Sequence, residues 1–203
     1  YGFHNSFDGF YYRYRTSEQR WAYLAKNLCM ILDAPTGQPY YDLLKILQGK
    51  NYHILTTNQD TQFARIFPAE KISAIQGDWR YFQCSHRCHD ALYDSVETLH
   101  RLKNAVSPEL TVPSNMIPRC PKCGAEMEPW VRGWTFLEGK KYREEYGKLN
   151  AFLNSNKDKK ILFLEIGVGR MTPMFIQEPF WNLTYTLPDA FYITINPKDA
   201  RVP

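Results

Sequence analysis

The sequence predicts an open α/β fold, a sheet of parallel strands flanked by helices, that carries a small cysteine-bound module. Three observations predict it. Strand-like and helix-like periodicities alternate along the chain; several strand runs are apolar on both faces, as in parallel strands covered by helices; and two close cysteine pairs interrupt the alternation. The 203 residues suit one large domain or a domain with a small module, and exclude two independent full-size domains. Hydrophobic residues at 44% and charged residues at 23% are globular proportions, which excludes a disordered or low-complexity chain. Aromatic residues reach 15%, enough for a packed core and for surfaces that stack on the rings of a ligand.

Each element has its own signal. Thr16 followed by Gln19 is a capping-box pattern, and Trp21, Leu24, Leu28, Ile31 and Leu32 then recur at helical spacing, so a helix is expected over 17–32, stopped by Asp33-Ala34-Pro35. Tyr40, Leu43, Leu44 and Leu47 mark a second helix over 38–48, ended by Gly49. A strand at 52–56, a helix at 61–67 and a strand at 71–75 form a strand–helix–strand unit. Leu92, Val96, Leu99 and Leu102 predict a helix over 89–106, and a further helix covers 141–154. Residues 160–166 are expected as a buried parallel strand and 190–195 as the last strand. There is no internal repeat and no linker longer than a loop. Three sections are expected: 1–75, the N-terminal helices and the first part of the α/β domain; 76–135, the small module; and 136–203, the rest of the α/β domain.

The net charge of +4 is spread along the chain with acids interleaved, unlike the clustered basic face of a nucleic-acid binder. No stretch approaches the ~18 apolar residues of a membrane span, and Tyr1-Gly2-Phe3-His4 has neither the basic nor the apolar region of a secretory leader. A cytoplasmic location is therefore expected, with neither nucleic acid nor membrane as partner.

Cys84 and Cys88 form one close pair, and Cys120 and Cys123, in a Cys-Pro-x-Cys-Gly knuckle, form the other. This spacing lets four thiolates converge tetrahedrally on zinc at about 2.3 Å. A closed four-thiolate site has no open coordination position, so the zinc is expected to be structural. Two disulfides or a redox pair at Cys120 and Cys123 are the alternatives, and the chain shows no sign of secretion to favour the disulfides. His86 and His89 flank the first pair, either as substitute ligands or as ordinary loop histidines. Cys29 lies inside the first helix, as a buried apolar residue would.

Four loops follow strands. Thr56-Thr57-Asn58-Gln59-Asp60 would present amides and a carboxylate to a ligand, or serve as a helix cap. Gln76-Gly77-Asp78-Trp79 ends the next strand before the cysteine module. Gly167-Val168-Gly169-Arg170 allows close backbone approach to a phosphate or ribose, and Ile195-Asn196-Pro197 ends the last strand.

In this order and spacing the motifs resemble those of the sirtuins over residues 52–197. Sirtuins join a Rossmann-like NAD-binding domain to a small zinc module and show T-Q-N-x-D, H-G, two Cys pairs, a G-T-S loop and a late I-N; this chain has T-T-N-Q-D, Q-G, two Cys pairs, G-V-G and I-N. The resemblance implies an NAD site lined by Thr57, Asn58, Gln59, Asp60, Gly167, Val168, Gly169, Arg170 and Asn196. Asn58 would face the nicotinamide ribose and Asp60 would hold the carboxamide, while Gly167, Gly169 and Asn196 would line the adenosine side. Asn58, Asp60 and Gln76 are the expected catalytic set, and Cys84, Cys88, Cys120 and Cys123 the zinc ligands.

The departures matter as much. A deacylating sirtuin uses the histidine of H-G as a general base; a glutamine amide accepts no proton at physiological pH. Where the family has a V-V-x-F-G-E-like acyl-lysine groove, Pro129-Trp130-Val131-Arg132-Gly133-Trp134 stands instead, and Arg132 and Trp134 alter the channel. The loop G-V-G-R-M-T-P lacks the Thr-Ser hydroxyls and is one residue shorter. These changes, and the stretch from Gly167 to Trp181, resemble the macrodomain-associated class M sirtuins. That resemblance implies protein ADP-ribosyl transfer, a lipoyl carrier like the glycine-cleavage H protein as acceptor, and a macrodomain hydrolase as the reversing partner. An NAD-dependent protein deacylase and a non-catalytic zinc-ribbon binding module are the alternatives. The family's Gly-Ala-Gly-x-Ser diphosphate loop does not occur in the chain, and with Tyr1 placed near where that loop would end and the end of the family's chain curtailed after Pro203, a segment of a longer protein is expected.

Overall fold

A computed structural model of the chain describes residues 2–170, 173–198 and 200–202. The chain-end positions Tyr1 and Pro203, and the Met171-Thr172 part of the loop expected to be shortened, lie outside the described residues. The amino-terminal region is helical: α1 (Ser6–Phe10), α2 (Ser17–Asp33) and α3 (Gln38–Leu47). The Thr16 hydroxyl caps α2 by accepting from Gln19 N at 3.3 Å, as the sequence pattern requires. A parallel pair follows, β1 (Ile54–Thr56) and β2 (Ile72–Ala74), joined through α4 (Gln62–Ile66), with Ile54 opposite Ile72 and Thr56 opposite Ala74. Ile54, Phe67 and Ile72 bury themselves against Leu43 and Leu47 of α3 and Phe63 and Ile66 around α4.

The cysteine module is an antiparallel sheet of order β4-β3-β5, built from β3 (Gly77–Cys84), β4 (Tyr93–Asp94) and β5 (Met127–Val131), with α5 (Val96–Asn104). Gly77 opens β3 at φ +92°, where a Cβ would come within 2.0 Å of the Trp130 carbonyl oxygen, so only glycine lets β3 and β5 meet there. The main core joins this module to α2: Trp21, Leu24, Leu28 and Cys29 pack with Phe82, Leu99, Leu102, Cys84 and Cys120. Glu126 reinforces the seam, accepting from Trp21 Nε1 at 2.6 Å and Ser17 Oγ at 2.8 Å.

The rest comprises α6 (Lys140–Asn154), β6 (Ile161–Ile166), α7 (Gln177–Thr186) and β7 (Ala190–Ile195). β6 and β7 pair in parallel over their whole length, Ile161 opposite Ala190 to Ile166 opposite Ile195. Buried Glu145 ties α6 to β2, accepting from Ala74 N at 3.0 Å while Lys141 and Lys148 each lie 2.7 Å from its carboxylate.

Three local expectations differ from the structure. The helix expected over 89–106 begins only at Val96, because Tyr93 pairs with Phe82 and the Asp94 carboxylate caps the first turn through Val96 N at 3.0 Å. α7 had no helical forecast; Pro179 sits in its first turn, where a missing N–H breaks no helical bond. β6 is buried on one face only. Ile161, Phe163 and Glu165 are covered, with Phe163 against Phe180 of α7, whereas Leu162 and Ile166 are each 52% exposed and Phe191, Ile193 and Ile195 of β7 are exposed beside them. Among the described residues no element covers that second face.

Candidate active site

The four paired cysteines converge: their sulfurs lie within 4.8 Å of one another, with Cys84 Sγ 3.5 Å from Cys123 Sγ and Cys88 Sγ 3.6 Å from Cys120 Sγ. Sulfurs at the corners of a tetrahedron with Zn–S bonds of about 2.3 Å stand about 3.8 Å apart, so the spacing fits a shared metal, and all five cysteines are free of disulfides. His86 and His89 are not members of the cluster. His89 instead lies beside it, Nδ1 3.0 Å from Cys88 Sγ and Nε2 2.8 Å from Tyr93 Oη, the pattern of an outer residue that orients a ligand. Cys29 is fully buried, and burial pushes its thiol up to about 11, as for an inert apolar position.

The module delivers β3 to the end of β2, and the residues there meet the loop after β1. The Gln59 side-chain amide donates to the Gln76 carbonyl at 3.0 Å, and Trp79 N donates to the Gln59 carbonyl at 3.3 Å. The Thr56 hydroxyl accepts from Asn58 N at 3.0 Å, and Thr57, partly buried, lies between them. Asp60, one residue before the Thr61 N-cap of α4, accepts from Gln62 N on Oδ1 at 3.0 Å, and its Oδ2 accepts from the hydroxyl of Tyr40 on α3 at 3.0 Å. Thr61 then adopts a left-handed conformation at φ 65°, a cost of about 1–2 kcal/mol for a β-branched residue that the surrounding bonds must hold.

Gln76 itself is 5% exposed, and its Nε2 is buried with no hydrogen-bond partner among the described residues. A buried amide donor left unpaired costs about 1–3 kcal/mol, so this one would gain from meeting an acceptor. The same residue's carbonyl accepts Arg132 N at 2.9 Å. The Arg132 guanidinium lies over the ring of Phe136 at 4.2 Å, with Tyr142 at 5.3 Å and Phe175 at 5.7 Å, and it pairs with Glu138 at 2.5 Å. Phe175 follows the loop after β6, so Arg132 links that loop to the Gln76 turn. At the carboxyl ends of β6 and β7, Gly167 takes φ +69° and donates to the Ile195 carbonyl at 2.9 Å, and the Asn196 amide donates to the Val168 carbonyl at 2.9 Å. Gly167, Gly169 and Arg170 are exposed while Val168 is buried. The structure thus gathers the sequence-selected residues into two clusters, one at the ends of β1 and β2 and one at the ends of β6 and β7. Tyr40 and the bridging role of Arg132 were not legible: Tyr40 counted as an apolar position of α3, and Arg132 as a change in a groove.

This fold recurs in solved structures. A Sir2 homologue solved as a complex with NAD matches with a TM-score of 0.57 at 14% identity, over 90% of this chain and 61% of that one. A structure reported on the basis of sirtuin substrate affinity matches with a TM-score of 0.60 at 18% identity, over 89% of this chain and 65% of that one. The chain has the sirtuin fold. Within that fold, a Staphylococcus aureus (strain Mu50) protein named protein ADP-ribosyltransferase is 36% identical over 194 residues, 94% of this chain and 61% of its own length. A Fusarium oxysporum f. sp. cubense protein named probable bifunctional ADP-ribose hydrolase/ADP-ribosyltransferase is 29% identical over 174 residues, 81% of this chain and 29% of its own length. The chain therefore spans about three fifths and about three tenths of these curated relatives. No family model matches it. No described helix is long and apolar enough to cross a membrane.

Proposed function

We propose that this sirtuin-fold chain belongs to a class M-like protein ADP-ribosyltransferase that uses NAD as donor and releases nicotinamide. The observation that carries the proposal is Gln76: a buried glutamine amide stands where a deacylating sirtuin needs a proton-accepting histidine. The Staphylococcus relative's name supports the same activity. In this reading Thr57, Asn58, Gln59 and Asp60 hold the nicotinamide half of NAD, and Gly167, Val168, Gly169, Arg170 and Asn196 the adenosine half. Asp60 fixes the carboxamide, Asn58 faces the ribose, and Gln76 donates its unpaired amide hydrogen to a ribose hydroxyl. The C1′–N bond breaks with its electron pair staying on the ring nitrogen, so nicotinamide leaves neutral; an acceptor lone pair then bonds C1′ and its proton passes to solvent. Excluding water and orienting the two partners is the protein's main contribution to such a step.

Cys84, Cys88, Cys120 and Cys123 hold a structural zinc, with the small module taken as 76–135 between the α/β sections 1–75 and 136–203. A lipoyl-carrier protein is the proposed acceptor, a macrodomain hydrolase the reversing partner and the cytoplasm the location. The name of the Fusarium relative, which couples hydrolase and transferase, supports the second of these. Nicotinamide release from NAD tests the site. Asp60→Ala is expected to lower it at least tenfold while folding stability falls by no more than about 1 kcal/mol for the lost bond to Gln62 N; an unchanged rate contradicts the assignment.

A further inference from the structure

The loop after β1 is held from outside by Tyr40. Its hydroxyl stands 3.0 Å from Asp60 Oδ2 and 3.3 Å from Asn58 Nδ2. A carboxylate only accepts and an amide NH₂ only donates, so the directions are fixed: the phenol donates to Asp60 and accepts from Asn58. We propose that Tyr40 is a positioning residue for nicotinamide departure, joining Asp60 and Asn58 into one hydrogen-bonded unit aimed by α3. This rests on the proposed role of the loop in holding NAD.

Four further observations support it. The Tyr40 ring packs edge-on against Phe63 of α4 at 4.9 Å, so the phenol is braced between two helices. Burial, followed by the charge of Asp60, pushes the Tyr40 hydroxyl up to about 12, so it stays a donor throughout the working pH range. Asp60 has each oxygen engaged by one donor, Gln62 N on Oδ1 and Tyr40 on Oδ2, which fixes the plane of the carboxylate while leaving each oxygen a second lone pair for a ligand N–H. Thr61, strained immediately after Asp60, needs such a brace if the carboxylate is not to turn away.

Tyr40→Phe removes the hydroxyl and keeps the ring against Phe63. It is expected to lower nicotinamide release at saturating NAD about tenfold, the scale of one lost orienting hydrogen bond, with zinc content and melting temperature near wild type. Tyr40→Leu, which also removes the packing, is expected to lower the melting temperature as well. The Tyr40→Phe/Asp60→Ala double variant is expected to be slowed by less than the product of the two single losses, because part of what Tyr40 does runs through Asp60 and the rest through Asn58. A Tyr40→Phe variant at the wild-type rate, or losses that multiply in the double variant, overturns the proposal while leaving the NAD loop intact. An Asp60→Ala variant at the wild-type rate overturns instead the reading of the loop on which it rests.

Discussion

In the proposed reading, the Gln76 side chain is what separates two reactions. Deacylation by a sirtuin needs a base on a ribose hydroxyl, whereas transfer to a protein nucleophile needs that hydroxyl oriented, which an amide N–H can do. Gln76→His supplies a base, and if the protein were a deacylase lacking only that group, the ~10²–10⁴-fold of general base catalysis should appear as gained turnover of acyl-lysine peptide. The expected outcome is deacylation that stays at background, with Arg132 held by Phe136, Tyr142 and Glu138 in the altered groove. Gln76→Ala is expected to lower ADP-ribosyl transfer about tenfold, and transfer indifferent to that change contradicts the role. His53 gives a residue-scale prediction about stability. Burial, then the charges of Lys148 and Lys71, lowers it from 6.5 to about 4. Ser73 Oγ lies 2.8 Å from its Nε2 and donates onward to the Glu145 carbonyl, so the neutral ring is the donor to Ser73. The unfolded chain binds the proton near pH 6.5 and the folded one only near 4; the stabilisation is complete above about pH 6.5 and is lost as pH falls through that window. Melting temperature followed from pH 7 to 4.5 should fall less steeply in His53→Gln than in wild type, and parallel curves would contradict this.

Among the elements, the zinc module shows how far periodicity carries. α2 and the β6–β7 pair were legible because their apolar spacing and the Thr16 cap are local signals, and β1–α4–β2 because short apolar runs bracket a helix. β3 and β5 were not. The run Gly77-Asp78-Trp79-Arg80-Tyr81-Phe82-Gln83-Cys84 has no clean alternation, and cross-strand pairing, convergence of distant thiolates and packing on Trp21 supply its order. The same cause shortened the helix expected over 89–106, since β4 pairing claims Tyr93. Metal binding at such a site is folding free energy, comparable to or larger than the about 5–15 kcal/mol of a whole domain. Cys120→Ser is therefore expected to lose the zinc and unfold the β4-β3-β5 sheet, and because Cys84 and Cys120 share a core with α2, the loss should reach Trp21 and shift its fluorescence. Elemental analysis and Trp emission check it; full zinc occupancy in the variant contradicts it.

On the scale of the whole molecule, the order of motifs located the loops at the ends of β1, β2, β6 and β7 before any geometry was known, because strand ends are where an open α/β sheet presents ligands. What it did not reveal were the contacts that brace those loops: Tyr40 reaching from α3 to Asp60, and Arg132 spanning from the Gln76 turn to Phe175. Both depend on helices packing over strand ends, which no local pattern encodes. The face of Leu162, Ile166, Phe191, Ile193 and Ile195 likewise departs from the expected two-sided burial, since the apolar run specifies a strand and not what lies over it. The central claim is that the bond to nicotinamide is broken to modify a protein and not to remove an acyl group. It is tested by incubating the full-length protein with NAD labelled in its adenosine half, a lipoylated carrier protein and an acyl-lysine peptide together. The account predicts label bound covalently to the carrier, one nicotinamide released for each ADP-ribose transferred, and intact peptide; unlabelled protein with nicotinamide release matched to deacylated peptide would contradict it.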